Sequence, residues 1–184
     1  MEPIRNAKNI PLYWVQPKTM ARFFTLHSGE HEYATLDFAS AFGSLAIAIT
    51  AEYTWSFKRM GFFNPRVTVR RPEEETDLAV YQPRWTGTEG TLTIADGPTF
   101  QWRATNFWAT KFAFLDSSGE ALLWFKEGSE QGRLSDLFKT QALLEITPAG
   151  WQADELDLLV TLGWYLLILY HEDAAGAAAA ASAT

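Results

Sequence analysis

Between residues 11 and 147 the chain alternates short runs of aliphatic, β-branched and aromatic residues with punctuation by Gly, Asp, Asn, Ser and Pro. That is the pattern of antiparallel hairpins. Asp116-Ser117-Ser118-Gly119 separates Lys111-Phe112-Ala113-Phe114-Leu115 from Glu120-Ala121-Leu122-Leu123-Trp124-Phe125-Lys126, and Asp96-Gly97 separates residues 91–94 from 100–103. Further turns are expected at Ser28-Gly29, Phe42-Gly43-Ser44, residues 61–65 and 87–90, Gly128-Ser129 and Pro148-Ala149-Gly150. The spacing predicts about twelve strands, at residues 11–16, 21–27, 33–38, 45–50, 53–60, 66–71, 77–83, 91–95, 99–104, 111–115, 120–126 and 142–147. Leu45, Ile47 and Ile49 share one face, and Val67 and Val69 oppose Arg66, Thr68 and Arg70. Such period-two runs have one buried and one wet face, so the sheets need an apolar partner.

The only long helical candidate lies near the C-terminus. It is expected from Asp154, as a capping carboxylate, to about His171, with Glu155 and Asp157 in the first turn near the positive end of the helix dipole. Between Leu158 and Tyr170 only Thr161 and Gly163 interrupt Leu, Val, Trp, Tyr and Ile, so this helix has no polar face and must be surrounded. From Leu156 to Tyr170 it spans about 22 Å, against roughly 30 Å of bilayer core. Its flanks are acidic, with no Lys or Arg to anchor it. A helix buried in protein is the expectation, with the strands closed around it as a barrel, because closure removes sheet edges and encloses the apolar rod. Gly163 marks the close approach of a strand or a bulky side chain. Residues 1–173 are read as a single domain of mainly β class, and the Ala-rich stretch 174–184 as an unpacked, disordered tail.

Trp55-Ser56-Phe57-Lys58-Arg59 entering a turn, the aromatic runs Phe100-Gln101-Trp102 and Lys111 to Gly119, and the terminal Leu158 to Leu167 stretch follow in an order that resembles the tubby C-terminal-like superfamily. That group includes tubby-like domains, phospholipid scramblases and LURP-one-related proteins, and the resemblance covers nearly the whole chain. It implies a twelve-stranded barrel around a central hydrophobic helix, in proteins that bind phosphoinositides, are linked to lipid movement or have no assigned activity. The scramblases' cysteine-rich and calcium-associated segments are absent, so scramblase activity is not expected, and no functional motif transfers residue by residue.

Composition narrows the classes further. The chain has no cysteine, which excludes disulfides, thiolate nucleophiles and cysteine metal sites. Its N-terminus lacks the apolar run of a secretory leader, making the cytoplasm the expected location, with peripheral membrane association. A net charge of −7 argues against nucleic acid as a partner. The average hides an asymmetry: through Arg71 nine Lys and Arg face five Asp and Glu, and beyond it six face seventeen.

Among candidate sites, Lys58, Arg59, Arg66, Arg70 and Arg71 place five cations on two strands of one hairpin. Outward residues of paired strands are neighbours, so this set is the candidate for binding an anionic headgroup, against the alternative of a solvated strand face balanced by Glu73, Glu74, Glu75 and Asp77. His27 and His31 flank a turn and are read as loop histidines, not metal ligands. His171 is placed at a helix end, serving the dipole. No nucleophile elbow or phosphate-cradling glycine loop appears. The aromatic set Trp85, Phe100, Trp102, Phe107, Trp108, Phe112, Phe114 and Trp124 is assigned to core packing, against the alternative of lining a ligand pocket. The expectation is a non-enzymatic binding module without cofactor or metal, whose partner is an anionic phospholipid or membrane surface. The alternative is a scaffold that binds another protein. A barrel holding an apolar molecule in an empty interior is a third class, which a buried helix would deny.

Overall fold

The computed structural model describes residues 1–19, 21–61, 63–127 and 141–182; the turn expected at Gly128-Ser129 and the last two residues of the Ala-rich stretch lie outside them. Alternation becomes strand wherever it was read: β1 Leu12–Val15, β2 Phe23–Ser28, β3 His31–Phe38, β4 Ala46–Thr50, β5 Thr54–Met60, β6 Arg66–Arg70, β7 Ala79–Pro83, β8 Glu89–Ile94, β9 Thr99–Ala104, β10 Lys111–Leu115, β11 Ala121–Glu127 and β12 Gln141–Ile146. Each strand pairs antiparallel with its sequence neighbours, and β1 pairs with β12, so the twelve strands close into a barrel with no free edge. One helix, α1 (Leu156–Ser182), runs up its axis.

Because the strands run up and down, the turns divide strictly between two ends. The turns β2–β3, β4–β5, β6–β7, β8–β9 and β10–β11 lie at the proximal end, where α1 begins. The turns β1–β2, β3–β4, β5–β6, β7–β8 and β9–β10 lie at the distal end, where α1 leaves.

Every residue of α1 from Leu156 to Leu169 is buried, and no described helix is long and apolar enough to cross a membrane. Its side chains fill the barrel by ring packing. Trp164 stacks on Trp14 with centroids 5.5 Å apart and meets Phe24 edge-on at 5.6 Å; Tyr165 stacks on Phe38 at 5.5 Å. The helix comes nearest to β3, β4, β10 and β11. On the first pair it faces Ala34, Ala46 and Ala48, small residues that leave room for it.

That packing reverses one expectation. Leu45, Ile47 and Ile49 do share a face, but it is the outer one, with Leu45 and Ile49 exposed, because the inner positions of β4 are taken by the alanines the helix requires. Val67 and Val69 point inward as their alternation with Arg66, Thr68 and Arg70 requires.

The helix ends also differ from the reading. It starts at Leu156, two residues after Asp154, following a short 3-10 turn at Gly150–Gln152 whose backbone is tied to β11 by the Thr147 hydroxyl. It continues to Ser182 instead of stopping near His171, so residues 174–182 are helical and exposed, not disordered. Alanine has the best helix propensity of any residue, and extending a formed helix needs no new nucleus.

Truncating Trp164 to alanine should cost about 3–5 kcal/mol, the usual range for an aromatic lost from a core. Trp164→Phe should cost distinctly less, because the indole N–H of Trp164 is buried without a hydrogen-bond partner and nothing polar is lost with it. Urea unfolding of the two variants would check this; equal losses would contradict the role given to the rings.

Candidate functional site

The hairpin of β5 and β6 does not gather its cations. Ser56 faces Arg70, Lys58 faces Thr68 and Met60 faces Arg66, so Lys58, Arg66 and Arg70 lie on the outer wall while Arg59, in phase with Trp55 and Phe57, turns inward. Arg59 reaches Asp173 on α1 with two bonds of 2.7 and 2.9 Å. Arg70 pairs with Asp77 at 2.6 Å, and Arg71, at the proximal end, approaches Glu74 at 3.7 Å. Period two and the acidic β6–β7 turn together disperse the set. Only Lys58 and Arg66 carry no ion pair among the described residues.

A different set assembles at the distal end. Among the described residues, the large hydrophobic side chains more than three-quarters exposed are Phe42, Phe63, Trp85, Phe107 and Trp108. Phe42 is in the β3–β4 turn, Phe63 in β5–β6, Trp85 in β7–β8, and Phe107 with Trp108 in β9–β10. This corrects the core assignment of Trp85, Phe107 and Trp108, which sit in turns where no strand or helix can cover them. Trp124 is also outside, on the wall between inward Leu123 and Phe125, with the Lys111 ammonium 4.1 Å above its ring. Phe100, Trp102, Phe112 and Phe114 are core as expected.

The turns that carry these rings are built, not slack. Arg22 donates to the Ser40 and Gly43 carbonyls, and the buried Tyr165 hydroxyl donates to the Ser44 carbonyl at 2.6 Å, holding the β3–β4 turn from inside. Burial pushes the Tyr165 phenol pKa well above its usual value, so it stays a donor. Gln82 donates to Asn64 and to the Pro65 carbonyl under β5–β6. The Asn106 side chain accepts from the Thr110 and Lys111 amides, and Phe107 and Trp108 pack edge to face at 5.1 Å.

Charge follows the same axis. The proximal turns hold Glu30, Glu73, Glu75, Asp96 and Glu120, all exposed, and the half-buried Asp116. The exposed cations Lys18, Arg66, Arg84 and Arg103 lie at or beside the distal end, where Glu172 and Asp173 are paired to Arg22 and Arg59, Glu89 approaches Arg84, and Asp37 is the exposed acid. The barrel is therefore electrically polar, acidic at one end and aromatic and locally basic at the other.

Between α1 and the β5–β9 wall the distal end opens into a cavity of about 350 Å³. Val67, Trp102, Leu166 and Leu169 supply its apolar surface, with Arg59, Arg84 and Trp85 at the rim. Tyr81 also lines it. Its ring crosses the face of Gly90, where a side chain would overlap it, and its hydroxyl has no hydrogen-bond partner among the described residues although the residue is only 3% exposed. Burial and then Glu89 raise its pKa far above the ordinary phenol value.

The histidines hold no metal cluster. His31 pairs with Glu2 at 2.6 Å and His27 lies 3.1 Å from the Gly29 carbonyl, and no described group of three or more His, Cys, Asp or Glu is arranged for a metal. His171 is inside α1, not at its end, and its Nε2 is 3.0 Å from Glu127.

Asp157, in the first turn of α1, is 6% exposed and has one carboxylate oxygen without a hydrogen-bond partner. Burial raises its pKa, opposed by a hydrogen bond with Thr50, assisted by Glu52 and opposed again by Arg5. The folded pKa thus exceeds the unfolded one, so the contribution is fully favourable below the unfolded value of about 3.9 and is lost as pH rises through the folded value. Asp157→Asn keeps an acceptor for Thr50 and removes the charge. It should raise Tm at pH 7 by about 2–4 °C, for a gain on the order of 1 kcal/mol, with the gain narrowing as pH falls toward 4. A lower Tm at pH 7 would mean that the helix dipole's attraction for the carboxylate outweighs its desolvation. Comparison with known proteins finds no matching family model, no matching curated protein and no matching solved structure.

Proposed function

We propose that this chain is a non-enzymatic module that docks end-on to an anionic lipid surface through its distal turns. The observation that carries the reading is the fully exposed aromatic tip on each of four successive distal turns, while the proximal turns are acidic. Exposed Trp and Phe side chains on separate, hydrogen-bonded turns suit the membrane interface, where an aromatic ring buries among acyl chains and headgroups. A protein partner would favour one contiguous apolar patch.

The arrangement of charge gives the direction. Net charge is −7, yet the acids crowd the proximal end, so an anionic surface attracts the distal end and repels the other. The tubby-like resemblance is compatible with this, since some members of that superfamily bind phosphoinositides. Arg66 and Arg84 replace the five-cation hairpin as the headgroup contacts in this proposal, with Lys58 on the wall above.

Sedimentation with vesicles tests the proposal. The protein should pellet with vesicles containing anionic lipid, pellet far less with neutral phosphatidylcholine, and release as salt is raised. Absence of pelleting with either would leave the same turns as a contact for another protein, the alternative reading.

A further inference from the structure

The distal cavity is of a size and make-up that the docking proposal does not use. At about 350 Å³ it falls within the range of small-molecule sites, roughly 300–1,000 Å³. Its walls are mainly apolar, with the Arg59–Asp173 pair also lining it, and it opens among the aromatic turns beside Arg84. We infer that it binds one single-chain amphiphile with an anionic head, a medium-chain fatty carboxylate in its simplest form, its tail against Val67, Leu166 and Leu169 and its head toward Tyr81 and Arg84. The inference rests on the distal end being the lipid-facing one.

Tyr81 is the observation that asks for a ligand. Its hydroxyl has no protein partner among the described residues and stays open to the cavity, so a ligand acceptor would take the place of water there. Here the phenol lines an open cavity, with Gly90 kept clear beneath it. Held protonated by burial, it can donate to an acceptor placed in the cavity. Arg84 supplies the charge: its side chain is 74% exposed, and its one ion pair among the described residues, to Glu89, is 3.6 Å long. An exposed pair of that length is worth little, so the guanidinium can turn to a carboxylate. Arg59 cannot serve as well, because Asp173 already engages it with two bonds. The apolar wall then takes the tail, and Trp85 at the rim can close over the chain.

Isothermal titration of the full chain with dodecanoate, below its micellar concentration and without vesicles, tests this. One site is expected, with a Kd on the order of 10 µM for a ligand of this size. Tyr81→Phe removes only a hydroxyl that bonds nothing, so the barrel should keep its Tm while affinity falls about tenfold. Leu169→Trp fills the cavity and should abolish the heat, with an unchanged far-ultraviolet spectrum showing that the fold is retained. Loss in either folded variant supports the site. No saturable heat with the wild type, or wild-type binding by both variants, overturns it. The two proposals fail separately: vesicle pelleting without dodecanoate binding removes the cavity's ligand alone, and dodecanoate binding without pelleting removes end-on docking alone.

Discussion

Replacing Gly163 with alanine should destabilise the protein by about 1–3 kcal/mol, and replacement with valine by more. In an ordinary helix interior the first change would help, by up to about 1 kcal/mol, since alanine is the better helix former. Here a Cβ would overlap the Phe125 ring and stand 3.2 Å from Trp102. Neither ring can yield. Trp102 is packed on Phe112, Phe114 and Phe125 at centroid distances of 5.2, 4.8 and 5.6 Å, and all four residues are buried at 2% exposure or less. Gly176 is the internal control: it lies in the same helix, exposed, with open space where its Cβ would be. Gly176→Ala should leave stability unchanged or raise it by up to about 1 kcal/mol, and should not lower it. Urea midpoints for the two variants separate packing from propensity. A Gly163→Ala protein as stable as the wild type would show that α1 can shift within the barrel, and the tight fit argued for it would be wrong.

Gly163 is also a measure of how far the sequence can be read. A glycine in an otherwise unbroken apolar helix costs stability by itself, so its presence announces a neighbour that tolerates nothing larger. The absence of a polar face on α1 likewise requires enclosure, and enclosure by strands of short, even spacing requires closure. These are local signals with global consequences, and they delivered the architecture. What the strands could not announce was which face of β4 turns inward. Leu45, Ile47 and Ile49 are the larger and more apolar face, yet Ala46 and Ala48 are inside because the helix already fills that space. Volume at the centre of a barrel is shared among elements far apart in sequence, and one strand's hydrophobicity does not reveal it. The Ala-rich stretch hides its structure for a related reason. Lack of packing does not mean lack of structure, because a helix nucleated inside the barrel carries its propensity outward to Ser182.

The candidate site was less legible. Five cations in fourteen residues looked like a cluster, but alternation sends Arg59 to the interior and the acidic turn captures Arg70 and Arg71. The signal for the distal surface was present and went uncombined. Phe42-Gly43, Phe63-Asn64-Pro65, Trp85-Thr86-Gly87 and Asn106-Phe107-Trp108 each place an aromatic beside turn-forming residues. In an up-and-down barrel alternate turns share an end, so counting strands would have put all four together. Tyr81 had no sequence signal, because an unpartnered hydroxyl is a property of the folded neighbourhood alone.

Serine at Trp85 and Trp108 should lower the vesicle affinity of the folded protein about tenfold for each replacement, since a large aromatic side chain taken from water into an apolar phase is worth roughly 1.5–3 kcal/mol and interfacial burial realises part of it. Neither residue should matter to stability: Trp85 is fully exposed and Trp108 nearly so. The charges should behave differently. Arg66→Glu with Arg84→Glu should weaken binding most at low salt, each basic residue near an anionic surface contributing about 1 kcal/mol, and the difference from wild type should shrink as screening grows. Arg70→Ala should change nothing, because Arg70 is engaged by Asp77 on the opposite side of the hairpin's midpoint from the distal turns. The two components thus separate by salt: the tryptophan deficit persists at 0.5 M salt, on the order of a 4 Å Debye length, and the arginine deficit does not. Tryptophan fluorescence gives a second readout, a blue shift on adding anionic vesicles that the double serine variant should lack. Equal pelleting by wild type and the Trp85/Trp108 variant would remove the aromatic turns from the contact, and with them the reason for assigning this end of the barrel to the membrane.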